Sequence, residues 1–416
     1  MTAPRVVTLG CRLNTLESEM IRDGALAAGL EDTIIVNTCA VTSEAERQAR
    51  QSIRKLAREN PSARIIVTGC AAQLSPQTFA DMDEVTRVLG NAEKLDANLL
   101  ADDGAEIVVS DIMDATTIEA PMISGISERT RAFVQVQQGC DHRCTFCIIP
   151  FARGRNRSVA PARIVEQVRT LVATGHGEVV LTGVDVSSYG HDAAGVPALG
   201  QLARQILDQV PGLLRLRITS LDPAAIDDGI FELLAHEPRF MPHLHLSLQA
   251  ADDMVLKRMK RRHSRDDAKA VIERARAARP DAVFGADLIA GFPTETDAMF
   301  ENTLAAIEEF GLTYLHVFPY SPRPGTAAEK MPRVPGERVK ERAARLRAAG
   351  DKQMQQFLMS RVGGLAQVLI ERDHRGMSEH FAPVELTFDA PIGAIVEARI
   401  EAADLKQGRL IAGLAA

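Results

Sequence analysis

Residues 140–147 read CDHRCTFC, and the rest of the chain is best read outward from them. Cys140, Cys144 and Cys147 form a CxxxCxxC run. The other three cysteines, Cys11, Cys39 and Cys70, stand singly in GCRLN, NTCAVT and TGCAAQ. A [4Fe–4S] cluster normally takes four Cys ligands, so three thiolates can hold one and leave an iron open. Two triplets with no cysteine left over imply two clusters, each able to bind something else. That is equipment for chemistry rather than electron storage. A zinc site would want a fourth Cys or His at ligand spacing, and His142 inside the loop is the residue it would have to use.

Around this loop, strands and helices alternate. Strands are expected at 132–136, 178–182, 215–219, 243–248, 283–289 and 314–318, with helices such as 162–173, 198–209 and 295–310 between them. This alternation predicts a partial (βα)6 TIM-like barrel, open on one side, with its active site at the C-terminal strand ends. The cysteine run follows the first of those strands. Upstream, strands expected at 5–10, 32–38 and 63–69 run up to Cys11, Cys39 and Cys70, with helices at 15–28 and 43–59 between them. Cysteine spacings of 28 and 31 residues are each about one βα unit. A Rossmann-like parallel sheet would therefore gather the three thiols at its ligand-binding edge. The alternative is three small residues buried in a sheet core.

Residues 115–130 lack a clear period and read as a linker. A long charged helix is expected at 336–361. Short strands at 366–370, 384–388, 394–400 and 409–412 predict a small all-β, barrel-like module. The chain thus divides into 1–120, 126–357 and 358–416.

No apolar run is long enough to span a bilayer, and MTAPRVVTLG lacks the pattern of a signal peptide. Thiols that must stay reduced fit the cytoplasm. A net charge of −7 argues against indiscriminate coating of nucleic acid. Residues 131–163, however, hold six Arg against one Asp, 257–279 ten Lys+Arg against three Asp+Glu, and 323–347 eight against three. Such patches are expected to grip phosphates locally, or to be solvated helix faces.

The CxxxCxxC spacing, with Phe146 before its last cysteine, resembles the radical S-adenosylmethionine enzymes. Across nearly the whole chain, the segments TLGCRLNTLESE, NTCAVT, TGCAAQ, CTFCIIPFARGRNRS, LTGVDVSSYG, RITSLDP, HLHLSLQAADDMVLKRMKRR, GADLIAGFPTET and HVFPYSPRPGT resemble the methylthiotransferases. The resemblance implies that the last module is a TRAM-type RNA-binding domain. Residues 361–416 nevertheless carry six Lys+Arg against eight Asp+Glu, and Ala250 stands where the family usually has Ser.

The resemblance further implies a [4Fe–4S] cluster and S-adenosylmethionine at Cys140, Cys144 and Cys147, and an auxiliary [4Fe–4S] cluster at Cys11, Cys39 and Cys70. Two molecules of S-adenosylmethionine would serve, one as methyl donor and one as radical source. ARGRNRS, LGCRLN and SLDP look most like the branch acting on C2 of N6-threonylcarbamoyladenosine at tRNA position 37. Other branches act on isopentenyladenosine or on a ribosomal-protein aspartate, and a two-cluster electron carrier is the non-enzymatic alternative. Phe146, Thr182, Gly183, Ser220, Gln249 and Asp287, near strand ends, are expected cofactor contacts, or else turn and cap residues. Arg153, Arg155 and Arg157 are expected to grip the anticodon stem-loop or the threonyl carboxylate, or to hold the loop. Base stacking would fall to Phe146, Phe151, Tyr320 or Arg planes. A flavodoxin-type electron donor is implied as partner.

Overall fold

The computed structural model describes residues 2–118, 122, 123, 125 and 130–415. Five parallel strands, β1 (Arg5–Thr8), β2 (Thr33–Thr38), β3 (Arg64–Gly69), β4 (Arg87–Leu89) and β5 (Ile107–Val108), lie side by side in chain order. Both faces of this sheet are covered, so its strands are apolar almost without a break. Ile34, Val36, Ile65 and Val67 meet Ala49, Ile53 and Leu56 of helix α2 (Ser43–Glu59). Ile35 and Ile66 meet Ile21 and Ala25 of helix α1 (Arg12–Ala27) on the opposite face.

Helix α1 begins at Arg12, three residues before the expected start. Asn14 explains the difference. It is fully buried and donates its amide to Leu9 O (2.8 Å) and Thr38 O (2.9 Å), pinning the first turn to the sheet through polar rather than apolar contacts. Apolar periodicity cannot register such a turn.

The second layer is a half-barrel of six strands. These are β6 (Arg131–Gln135), β7 (Glu178–Thr182), β8 (Arg215–Ile218), β9 (His243–Gln249), β10 (Val283–Ala290) and β11 (Leu312–Pro319). Parallel ladders run β8-β7-β6 and β9-β10-β11, and isolated bridges at Leu216–Phe240 and Leu221–Leu246 join them. Among the described residues β6 and β11 do not pair with each other, which leaves the barrel open on that flank, where α1 packs against β6. The helix Gly336–Arg361 lies against β11 and the helix Asp297–Glu309.

The C-terminal strands β12 (Leu365–Arg372), β13 (Arg375–Ser378), β14 (Pro383–Leu386), β15 (Ile395–Asp404) and β16 (Arg409–Leu414) close a barrel in the order β12-β13-β14-β16-β15. The sequence reading held four of these. It missed β13, whose RGMS is too short and polar to show alternation.

Buried charge joins this small barrel to the half-barrel. Glu178, fully buried, pairs with Arg217 (2.7 Å) and Arg215 (3.5 Å), and both arginines also donate to carbonyls of the C-terminal module: Arg217 to Ser378 O and Arg215 to Gln367 O and Met377 O. Burial would raise the Glu178 carboxyl, but Arg217, Arg131 and Arg215 hold it below the usual range. Replacing Glu178 with Gln should cost about 3–5 kcal/mol, because two buried guanidinium groups lose their counter-charge. Urea unfolding would measure this, and limited proteolysis should show the C-terminal module released first.

Candidate active site

Strands β1, β2 and β3 are neighbours, and Cys11, Cys39 and Cys70 each follow one of them within three residues. Cys39 and Cys70 are buried and Cys11 is exposed at the rim. Gly10 permits the approach. Its φ is +110°, which L side chains rarely adopt, and a Cβ there would lie 2.6 Å from Cys39 Cβ. Burial, with Cys70 adding to it, pushes the Cys39 thiol up to about 12. Such a thiol is protonated near neutral pH, so a bound metal would displace a proton.

The charge around this triplet fits a thiolate-ligated cluster. Arg153 donates from Nε to Cys70 Sγ at 3.0 Å, pairs with Glu17 through both terminal nitrogens, and reaches Asn14 Oδ1 at 2.6 Å. Lys94 Nζ meets Glu17 Oε2 at 2.6 Å. All three charged groups are essentially out of solvent. Two cations against one carboxylate leave one positive charge in surplus beside the cysteines, and thiolate would offset it. Burial opposes ionisation of Glu17, yet Arg153 and Lys94 hold its pKa down to about 2.

The second triplet occupies the loop after β6. Gly139 has φ +74°, and a Cβ there would lie 1.8 Å from Arg155 O, so the backbone passes where no side chain fits. Gln137, fully buried, organises the loop. Its amide donates to Gly139 O (2.6 Å) and Asn156 Oδ1 (2.6 Å), and its oxygen accepts from the N–H of Val184 (3.0 Å) and Asp185 (2.8 Å). Asp185 in turn accepts from Cys140 Sγ at 3.6 Å, while Arg261 Nη1 lies 3.7 Å from Cys144 Sγ. Burial pushes the Cys147 thiol up to about 12. His142 Nε2 sits 3.2 Å from Asp185 Oδ2. Three soft sulfur donors on one loop suit an iron–sulfur cluster.

A cavity of about 230 Å³ adjoins a segment of each triplet, lined by Val41 and Thr42 just after Cys39, by Phe146 between Cys144 and Cys147, and by Gln249, Asp287, Ile289 and the segment from Phe318 to Ser321. The loop after Cys39 is tied to its far wall by Ser43 N–H donating to Ser321 Oγ (3.0 Å). Of the expected cofactor contacts, Phe146, Gln249 and Asp287 meet here. Thr182 and Gly183 instead lie under the cysteine loop, Thr182 O accepting from Val136 N–H and Gly183 packed against Gln137. Ser220 is half-buried after β8 and does not line this cavity. Asp287 Oδ1 bridges His245 Nε2 and His316 Nδ1, each at 3.0 Å, and these two partners overcome burial to keep its carboxyl well below the usual range.

The three arginines after the loop part company. Arg153 and Arg157 are buried, Arg153 on Glu17 and Cys70 and Arg157 on Arg153 O (2.7 Å), so neither reaches an RNA backbone; Arg155 is exposed. The basic stretches thin out in the same way. Arg131 pairs with Glu371, Arg323 with Glu46, Arg342 with Glu295, and Arg345 with Glu301. Among the cations that stay outward, Arg143, Lys257 and Lys260 line a wide groove beside the cysteine loop. Gln137 and Lys94 belong to no motif of the sequence reading, and Glu17 stands inside TLGCRLNTLESE without a role of its own there, since a buried ion partner across elements leaves no local pattern.

Glu17→Gln should destabilise the fold by about 3–5 kcal/mol, leaving two buried cations unpaired, and should lower the iron bound per chain. Because Glu17 has a depressed folded pKa, its stabilisation is complete above the unfolded value of about 4.3. It is lost as pH falls from there through about 2, and the Gln variant should lack this acid dependence in chemical unfolding. Gly10→Ala should push this turn off Cys39 and so lower the iron bound per chain, read by iron analysis.

Residues 134–307 match the Radical SAM superfamily, and residues 4–90 match UPF0004, described as an uncharacterised protein family. The chain is 49% identical to threonylcarbamoyladenosine tRNA methylthiotransferase MtaB of Rickettsia prowazekii, over 95% of this chain and 94% of that one. It is 33% identical to the protein of that name from Aquifex aeolicus, over 94% and 98%. It is 34% identical to tRNA-2-methylthio-N(6)-dimethylallyladenosine synthase of Cereibacter sphaeroides, over 95% of each. Among solved structures, the radical S-adenosylmethionine methyltransferase TsrM of Kitasatospora setae shares the fold, with a TM-score of 0.57 at 13% identity over 84% of this chain and 91% of that one. With a barrel that carries CxxxCxxC after its first strand and relatives similar over almost their whole length, the chain belongs to the radical S-adenosylmethionine methylthiotransferase family.

Proposed function

We propose that this protein adds a methylthio group to C2 of N6-threonylcarbamoyladenosine at position 37 of tRNA. In this reading Cys140, Cys144 and Cys147 hold one [4Fe–4S] cluster and Cys11, Cys39 and Cys70 a second. A bound cluster with S-adenosylmethionine supplies a carbon radical strong enough to take hydrogen from an unactivated C–H bond, which no side chain is basic enough to deprotonate. The observation that carries the reading is the shared cavity. Phe146, between Cys144 and Cys147, forms one wall, and Val41 and Thr42, just after Cys39, form another. A base seated there touches residues that adjoin a cysteine of each triplet in sequence.

The protein's own work is then to bind, orient and shield. Gln249 and Asp287 offer polar contacts at the strand ends, Phe146 and Tyr320 offer ring surface for stacking, and apolar Ile289 and Phe318 help exclude water. Arg143, Lys257 and Lys260 offer charge to the anticodon stem-loop, and the acidic C-terminal module contributes less. The parts divide as 1–120 for the auxiliary cluster, 126–357 for the radical chemistry and 358–416 as a TRAM-like module. A low-potential, flavodoxin-type donor in the cytoplasm completes the reading. No helix among the described residues is long and apolar enough to cross a membrane.

Nucleoside mass spectrometry of bulk tRNA, with and without this chain, tests the substrate. The methylthio form of threonylcarbamoyladenosine should vanish without it and the unmodified precursor accumulate. Loss of methylthio-isopentenyladenosine instead would favour the other tRNA branch, the name carried by some relatives. If both nucleosides persist, a ribosomal-protein substrate takes their place. Lys257→Glu with Lys260→Glu should raise KM for tRNA by roughly tenfold or more, with a shallower salt dependence and unchanged affinity for S-adenosylmethionine.

A further inference from the structure

Arg157 is a buried charge without a counter-charge. It is 7% exposed and donates from Nη2 to Arg153 O at 2.7 Å and from Nη1 to Thr117 O at 3.4 Å. Among the described residues its Nε–H has no partner, and no carboxylate pairs with it. Burial, with Arg153 adding to it, disfavours its charge. A guanidinium cannot shed that charge, and a buried charge is costly unless it is paired.

The side chain lies on the wall of a cavity of about 210 Å³ between the N-terminal layer and β6. Glu17, Asn91, Lys94, Gln135 and Gln138 line it and are buried, while Ala92 and Thr117, also on its wall, are exposed and give it a mouth. Gln135 is 5% exposed, and its Nε2 has no hydrogen-bond partner among the described residues. Two buried N–H donors without acceptors thus share one cavity with the Lys94 ammonium.

The charges around the cavity do not balance. Arg153, Lys94 and Arg157 are buried together with one carboxylate, Glu17, and both oxygens of Glu17 are already taken by Arg153 and Lys94. A thiolate at Cys70, beside Arg153, would offset one of the two surplus charges and leave the other. Water in the cavity could accept from the free N–H groups but would not neutralise a cation. We infer that this cavity is an anion site, which takes a small oxyanion on Arg157, Gln135 and Lys94. Lys94 spends two of its three N–H bonds on Glu17 (2.6 Å) and Asn91 Oδ1 (2.7 Å), so one remains to give. A guanidinium, an amide and an ammonium suit an acceptor with several oxygens, and the space is far larger than one water needs. Bound there, the anion would tie Asn91–Leu95, the end of β6 and the segment around Thr117 to one another. The inference is independent of which nucleoside the protein modifies.

The test is calorimetric titration of the full-length, iron-loaded protein with inorganic phosphate, sulfate and acetate, in chloride buffer of constant ionic strength. At least one of the three should bind saturably, one per chain, roughly tenfold or more tighter than chloride. Phosphate or sulfate ahead of acetate would mark a tetrahedral oxyanion, and the reverse order a carboxylate. Arg157→Met should abolish the binding. Gln135→Met, which removes a donor and no charge, should weaken it by roughly tenfold. If none of the three anions binds more tightly than chloride, the cavity holds only water and the inference falls. Binding that persists unchanged in Arg157→Met would also overturn it. Should Arg157→Met fail to fold, Gln135→Met decides: an affinity equal to that of wild type would overturn the assignment.

Discussion

The buried contact of Arg153 with Glu17 is the constraint on which the rest of the structure depends. Arg153 comes from the loop that follows the CxxxCxxC run, and Glu17 from the first helix of the N-terminal sheet. Their pairing, with Lys94 on the second carboxylate oxygen, puts the loop of one cysteine triplet in direct hydrogen-bond contact with Cys70 of the other. Taking three charges out of water is costly, and a hydrophobic seam of the same size would hold the two layers at least as well. What the charged seam adds is orientation. A guanidinium fork with four named acceptors has one seating, whereas apolar faces can slide.

The same logic recurs at the other junction, where Glu178 collects Arg215 and Arg217 and both arginines reach into the C-terminal barrel. The half-barrel is thus gripped from both sides by buried ion pairs while its β6–β11 flank stays unpaired. That flank is bordered by the N-terminal helix that begins beside Cys11. An open barrel would be a weak fold alone, because edge strands leave backbone groups unsatisfied. Here the neighbouring layers stiffen it.

Charge counting along the chain was the least faithful guide. The stretches 131–163 and 323–347 are rich in arginine, but Arg131, Arg153, Arg323 and Arg342 are all paired with carboxylates that sequence places far away. Composition records charges and not their partners.

Much of the architecture was legible from sequence for a simple reason. Parallel strands buried on both faces are near-continuous apolar runs, so TIIVNT and RIIVTG announce themselves, and the cysteine after each inherits its place from the strand. The CxxxCxxC spacing likewise puts three sulfurs on one loop wherever that loop sits. The short strand RGMS and the polar first turn of α1 were not legible, because neither carries an apolar period. Sequence by itself therefore determined the layers, the two thiol triplets and the sheet edge at which they lie. Only the tertiary structure decided which polar residues face each other, since Glu17 and Arg153, or Arg217 and Glu178, find their partners across elements whose relative placement no local pattern encodes.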